Sequence, residues 1–270
     1  MQMERIDTII LSDLHLGSEV SRAGDALELL QTAQFKRLIL LGDIFSDLNF
    51  RRLTKEHWKF LSCIRKLSNP RHEIEVVWVE GNHDQGLSEV MSHLVGVPVY
   101  QQYVWEYQGK RHLAIHGHQF DRFAINNLVL SQIGQFIYLY LQKLDFKRKR
   151  FARYLDRLNT RWLRLSAQVA RGALSHAKQG KAERIFCGHT HVPMREELEG
   201  IEYFNSGAWV DTHCTYITIS QQGVAIHEYL PQSTHHCDSS EERIPAAALP
   251  AGVPVSSGLP AHVICESIRC

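Results

Sequence analysis

The chain lacks the marks of several protein classes. Its six cysteines, Cys63, Cys187, Cys214, Cys237, Cys265 and Cys270, are scattered and form no Cys-x-x-Cys pair. That removes the thiolate pairs that structural zinc sites use. A disulfide framework is equally unexpected, because 270 residues are enough to bury a hydrophobic core. No apolar run reaches the roughly 20 residues of a transmembrane helix. The opening Met-Gln-Met-Glu-Arg-Ile-Asp has no apolar signal core. A cytoplasmic protein with reduced thiols is expected. There is no charge excess either: the net charge is +1, with 44% hydrophobic and 22% charged residues. This is the composition of an ordinary globular protein. The length fits one large domain, or one domain with a sizeable insertion.

What the chain does have is a recurring unit: a short apolar run that ends in Gly, Asp, His or Asn. Ile6–Leu11 leads to Asp13, Leu38–Leu41 to Gly42-Asp43, and Ile74–Val79 to Gly81-Asn82. Leu113–Ile115 leads to His116, and Ile185–Cys187 to Gly188-His189. Such runs read as buried strands. Helical patterns at Ala26–Ala33 and Thr54–Leu67 separate the first three, which implies parallel pairing. Two hairpins interrupt the rhythm. Tyr103–Tyr107 and Arg111–Ile115 flank Gln108-Gly109-Lys110, and Thr215–Ser220 and Val224–Tyr229 flank Gln221-Gln222-Gly223. An α/β protein with two sheets face to face, covered by helices, is expected.

Phe123–Lys181 differs from the rest. Val129, Ile133, Phe136, Ile137, Tyr140, Leu141 and Leu144 recur at helical spacing, as do Phe151, Tyr154, Leu155, Leu158, Trp162, Leu165 and Val169. A helical insertion, or cap, over 123–181 is expected within a domain spanning 1–230. Between Lys143 and Arg164 basic residues far outnumber the acidic Asp145 and Asp156. A basic amphipathic helix can lie on an anionic membrane surface, form a lid over a site, or simply pack on its own domain. Nothing beside it resembles a nucleic-acid-reading platform, so no nucleic-acid partner is expected. Residues 231–270 are rich in Pro, Ala, Ser and Gly and read as a disordered tail.

The polar residues at the strand ends carry the chemistry. Asp13 and His15 are two apart, as are His189 and His191, so each pair on extended backbone projects to one side. Asp43 follows a glycine that permits a sharp turn, and its two oxygens can bridge two ions. Asn82 offers an amide oxygen and His116 an imidazole. In open α/β sheets ligands gather beyond the carboxyl ends of the strands, where all these groups fall. Oxygen and imidazole donors without thiolate suit Mn²⁺, Fe²⁺, Zn²⁺ or Co²⁺. Paired ions of this kind support attack at phosphorus. His83, beside Asn82, can protonate a leaving oxygen, and Asp84 can set its tautomer. His118 either lines the site or is incidental. His57, His72, His93, His112, His176, His213 and His227 are expected to take no part.

The ordered series Asp13-x-His15, Gly42-Asp43, Gly81-Asn82-His83-Asp84, His116-Gly117-His118 and Gly188-His189-x-His191 resembles the calcineurin-like metallophosphoesterases. The resemblance implies a four-layer α/β/β/α sandwich. It implies one ion held by Asp13, His15, Asp43 and His191, another held by Asp43, Asn82, His116 and His189, and a hydroxide between them that attacks phosphorus. Manganese is the metal it favours.

Within that superfamily the chain is most similar to UDP-2,3-diacylglucosamine pyrophosphatases of lipid A synthesis. The similarity rests on Ile10–Gly17, on the place of the helical insertion, and on Asn205-Ser206-Gly207-Ala208-Trp209-Val210. His83 departs from it, standing where those enzymes carry Arg, and their polar stretch in the insertion has no counterpart here. The expected function is dinuclear hydrolysis of a phosphoanhydride or phosphodiester. The expected partner is a phosphate-containing small molecule, with a lipid-linked nucleotide first and peripheral membrane attachment as its corollary. The alternatives are a soluble nucleotide phosphodiesterase or phosphatase, and a non-catalytic scaffold with the same fold.

Overall fold

The apolar runs take up the pairing their pattern calls for. The computed structural model describes residues 6–47, 49–86, 92–93, 95–121, 150–210 and 213–231, with backbone only over 150–164. Strands β1 (Ile6–Leu11), β2 (Arg37–Leu41) and β3 (Glu75–Val79) pair in parallel, with Ile10, Ile39 and Val77 in one row. Helix α1 (Ala23–Thr32) joins β1 to β2, and α2 (Lys55–Leu67) joins β2 to β3. The start of α2 is a capping box with histidine in the usual Glu position. His57 donates its backbone N–H to Thr54 Oγ1, and His57 Nδ1 accepts the Thr54 N–H. His57 Nδ1 also faces the Gly17 N–H at 3.2 Å, which ties α2 to the loop after β1.

The second half builds the other sheet. Strand β4 (Val99–Tyr100) closes one edge of the first sheet. Then β5 (Gln102–Tyr107) and β6 (Lys110–Ile115) form a hairpin that turns at Gln108 and Gly109, both at positive φ. Lys110, expected in the turn, pairs with Tyr107 as the first residue of β6. Helix α3 (Arg150–Gln179) precedes β7 (Arg184–Cys187), and β8 (Met194–Leu198) and β9 (Ile201–Asn205) form a hairpin. Strands β10 (Thr215–Ser220) and β11 (Gly223–Glu228) return to the first sheet, β10 antiparallel to β1. The sheet orders are β11-β10-β1-β2-β3-β4 and β5-β6-β7-β9-β8.

Side-chain alternation makes four layers from these parts. Ile9, Leu11, Leu38, Leu40, Val76 and Trp78 face outward onto Ala26, Leu29, Leu30, Phe60, Leu61 and Ile64 of α1 and α2. Ile10, Ile39, Leu41, Val77 and Val79 face inward, against Trp105, Ala114, Phe186 and Phe204 of the second sheet. The outer face of that sheet, through Leu113, Ile115, Ile185 and Tyr203, is covered by Ala170, Ala173, Leu174 and Ala177 of α3. The expected α/β/β/α sandwich is the observed one.

The last turns of α3 therefore form an outer layer of the sandwich, although the sequence pattern places them in a cap. The helical pattern Val129–Leu144, the side chains of the basic run Lys143–Arg164 and the tail beyond Pro231 lie outside what the structure describes. Among the described residues, no helix is long and apolar enough to cross a membrane.

Candidate metal centre

Every strand that feeds the site delivers its polar group just past its carboxyl end. The parallel ladder continues for a few residues beyond the strands: Asp13 N–H donates to Gly42 O, His15 N–H to Asp43 O, and Leu16 N–H to Ile44 O. This registers the loop after β1 against the loop after β2. Within the second sheet Gly188 N–H donates to His116 O, and across the sandwich His116 Nδ1 pairs with Leu41 O at 2.8 Å. That last bond links the two sheets at the site itself.

The backbone here is not extended. Asp13, His15, Asp43, His189 and His191 all have φ between 47 and 67°. Left-handed backbone costs a non-glycine residue about 1–2 kcal/mol and clusters at functional sites. Asp13 with His15, and His189 with His191, thus converge through left-handed residues at alternate positions, where the spacing implied extended backbone. Two glycines are fixed by close approach. A Cβ on Gly81 would fall on Asp43 N and Oδ1, and one on Gly188 would lie 2.5 Å from Asp13 Oδ2.

The side chains meet in three overlapping groups. The ligand atoms within each of Asp13/His15/His191, His15/Asp43/His83 and Asp43/His116/His189 lie within 4.8 Å of one another. His191 Nε2 is 3.2 Å from both Asp13 Oδ1 and His15 Nε2. His116 Nε2 is 3.3 Å from Asp43 Oδ2. Asp13, Asp43 and His116 are buried, His15, His83 and His189 partly so, and His191 lies at the rim. Asn82 is exposed between Gly81 and His83. His118 sits beside His116 and His189, with ring centroids 5.5 and 6.3 Å away.

Electrostatics shows how tightly these groups interact. Burial would raise the Asp13 carboxyl, but His191 and His116 hold it below its ordinary value. Burial acts the same way on Asp43, and His116 and His83 hold it well below. His116 is pushed up to about 10: burial opposes its charge, and Asp43 outweighs burial. His191 is raised against burial by Asp13. Burial and the neighbouring His191 lower His15 to about 4. Burial, then His116 and His189, lower His118 to about 3.

A divalent cation fits these residues. Asp13 Oδ1 and His116 Nε2 are buried and, among the described residues, make no well-formed hydrogen bond, although His191 Nε2 and Asp43 Oδ2 face them at 3.2 and 3.3 Å; a cation would satisfy them more fully. Because His116 Nδ1 is on a carbonyl, the nitrogen left to bind is Nε2, which faces Asp43. The donors are carboxylate oxygen and imidazole, suited to Mn²⁺, Fe²⁺, Zn²⁺ or Co²⁺.

Asp84 does something other than expected. Its carboxylate accepts the N–H groups of Ile44 and Phe45, both at 3.0 Å, and so fastens the loop that carries Asp43. His83 instead places Nδ1 on Ser46 O at 2.7 Å, which leaves Nε2 3.8 Å from Asp43 Oδ2. A backbone carbonyl holds the His83 ring. Burial, with the Asp43 charge next, raises Asp84 to about 7.

Other participants were not visible from sequence. Asp121 faces His189 Nε2 at 3.2 Å from 68 positions away. Its one signal is an acidic residue trailing the His116-Gly117-His118 motif. Asn205 Nδ2 donates to Gly188 O, and Ser12 Oγ meets Ser206 Oγ at 2.7 Å, so the loops after β1, β7 and β9 are bound together beneath the cluster.

A two-sheet sandwich with Asp and His converging at shared strand ends defines a metallophosphoesterase type of protein. The chain matches the calcineurin-like phosphoesterase superfamily domain over residues 6–229 and belongs to that superfamily, whose members bind divalent metals. No protein with a curated description matches the sequence. Among solved structures, a novel archaeal phosphodiesterase is 13% identical, covering 82% of this chain and 98% of that one, with a TM-score of 0.46. YfcE, a phosphoesterase from E. coli, is 18% identical, covering 83% and 99%, with a TM-score of 0.45. Zinc-bound Vps29 from Entamoeba histolytica is 13% identical, covering 82% and 97%, with a TM-score of 0.40. These are distant likenesses.

Proposed function

We propose that this chain hydrolyses a phosphoanhydride or phosphodiester at a centre for two divalent ions, manganese first among them. The observation that carries the reading is Asp43. It is one buried carboxylate, belonging at once to the group with His15 and His83 and to the group with His116 and His189, with Asp13 and His191 adjoining. Divalent ions bound there would lower the pKa of water towards neutrality and offset charge on phosphoryl oxygens. Asp13, His15 and His191 would hold one ion, His116, His189 and Asn82 the other, and Asp43 both. His83, with Nδ1 fixed on Ser46 O, presents Nε2 to the centre, where it can hold a proton for a leaving oxygen. Asp84 and Ser46 keep Asp43 and His83 in place.

For the substrate we take a UDP-2,3-diacylglucosamine-like, lipid-linked nucleotide. The support is the likeness of Ile10–Gly17 and Asn205–Val210 to that group of enzymes and the basic amphipathic run 143–164. A soluble nucleotide ester is the second reading. It is favoured by the packing of Ala170–Ala177 on the sheet, which removes that part of the helix from any acyl-holding lid. Purified protein with Mn²⁺ should release UMP from the lipid-linked nucleotide in detergent. Turnover of soluble diesters without UMP release would leave the reaction class and remove the lipid substrate. Turnover of neither would overturn the reading.

A further inference from the structure

Three histidines at the cluster face a fixed oxygen. His116 Nδ1 rests on Leu41 O and His83 Nδ1 on Ser46 O. His189 has a carboxylate in that position: Asp121 Oδ2 lies 3.2 Å from Nε2, with side chains only 7% and 12% exposed. Asp121 stands outside the converging groups of ligand atoms, although His189 belongs to one. A carboxylate that accepts one imidazole N–H fixes the tautomer and makes the other nitrogen a better donor to a metal.

Asp121 is itself held by the fold. It ends a single 3₁₀ turn, His118–Phe120, whose Phe120 carbonyl accepts from Gln168 Nε2 of α3 at 3.1 Å. Phe120 packs so closely on α3 that a Cβ at Gly172 would lie 2.8 Å from the Phe120 Cβ. The same ring lies against His176, one turn further along. The segment where the chain leaves the second sheet is thus pinned to the helix by which it returns.

We infer that Asp121 is the positioning residue for His189, accepting its Nε2–H so that Nδ1 is the nitrogen offered to the ion shared with Asp43 and His116, and that α3 sets the place of Asp121 through Phe120. The inference rests on the two-ion reading of the site and deepens it. Asp121 touches no reacting atom; it acts through His189.

The test is Mn²⁺ titration of the full-length, metal-stripped protein by calorimetry, together with long-range proton–nitrogen NMR of the imidazole rings. In the wild type the His189 signals should report a proton on Nε2. Asp121→Ala should weaken one of the two binding events by about 10–100-fold and leave the other unchanged. The His189 Nε2 tautomer should be lost in the same variant. Asp121→Asn, which keeps an acceptor oxygen, should retain the tautomer and fall between wild type and Asp121→Ala; it also serves if the alanine variant does not fold. Two undiminished binding events in Asp121→Ala, or a His189 proton on Nδ1 in the wild type, would overturn the inference and leave the two-ion reading intact. A wild type that binds no ion would overturn both.

Discussion

Asp43 depends on its neighbours for its place, and Gly81 is the least replaceable of them. A methyl group on Gly81 would occupy the position of the Asp43 amide and carboxylate, so Gly81→Ala must push the carboxylate aside. A displacement of about 1 Å in such a group costs on the order of 100-fold in rate. Steady-state hydrolysis of a phosphodiester by Gly81→Ala should fall by about that factor, with far-ultraviolet circular dichroism unchanged. Away from the cluster, His112 carries a different load. It is buried, with Nδ1 on Lys110 O and its ring stacked on Phe186, and burial, then Arg184, lower it to about 4 from 6.5. Between those values the unfolded chain binds the proton and the folded one does not, so stability falls as pH drops from about 6.5 to about 4. One group contributes at most about 1.4 kcal/mol per pH unit. Urea unfolding across that range should show a shallower pH slope for His112→Phe than for wild type. At this scale the sequence displayed which residue types meet, because Asp-x-His and His-x-His are local. It did not display left-handed backbone, which follows from ladders that continue past the strands. It hid Asp121 as well, since that contact with His189 spans 68 positions.

At the scale of elements, the parallel strands were legible because each is a continuous apolar run, the mark of a strand covered on both faces. The hairpin of β8 and β9 was not. Its first strand, Met-Arg-Glu-Glu-Leu, is a charged edge with little buried surface, and only Glu199-Gly200, both at positive φ, marks its turn. Helix α3 misled in the other direction: one periodic pattern ran from the insertion into the layer that covers the second sheet. Leu174, buried between α3 and that sheet, measures how firmly the layer is attached. Leu174→Ala should cost about 2–5 kcal/mol in chemical denaturation. Trp58→Ala on α2, where the ring is 47% exposed, should stay within about 0.5 kcal/mol. Equal costs at the two positions would contradict the packing.

For the whole molecule, the two sheets meet at the site through the bond from His116 Nδ1 to Leu41 O, so whatever fills the cluster also clamps the sandwich. Buried Asp13 Oδ1 and His116 Nε2 make no well-formed hydrogen bond among the described residues, and a cation that satisfies them binds the folded state alone. Manganese at 100 times its dissociation constant should then add about 2.7 kcal/mol, read as a rise in Tm that EDTA reverses. A pair of ions sharing Asp43 is best tested by stripping the protein of metal and following phosphodiester hydrolysis as Mn²⁺ is returned. No turnover is expected without metal, little at the first equivalent, and saturation at about two ions per chain. Turnover that persists after stripping, or that saturates at a single ion, would contradict it.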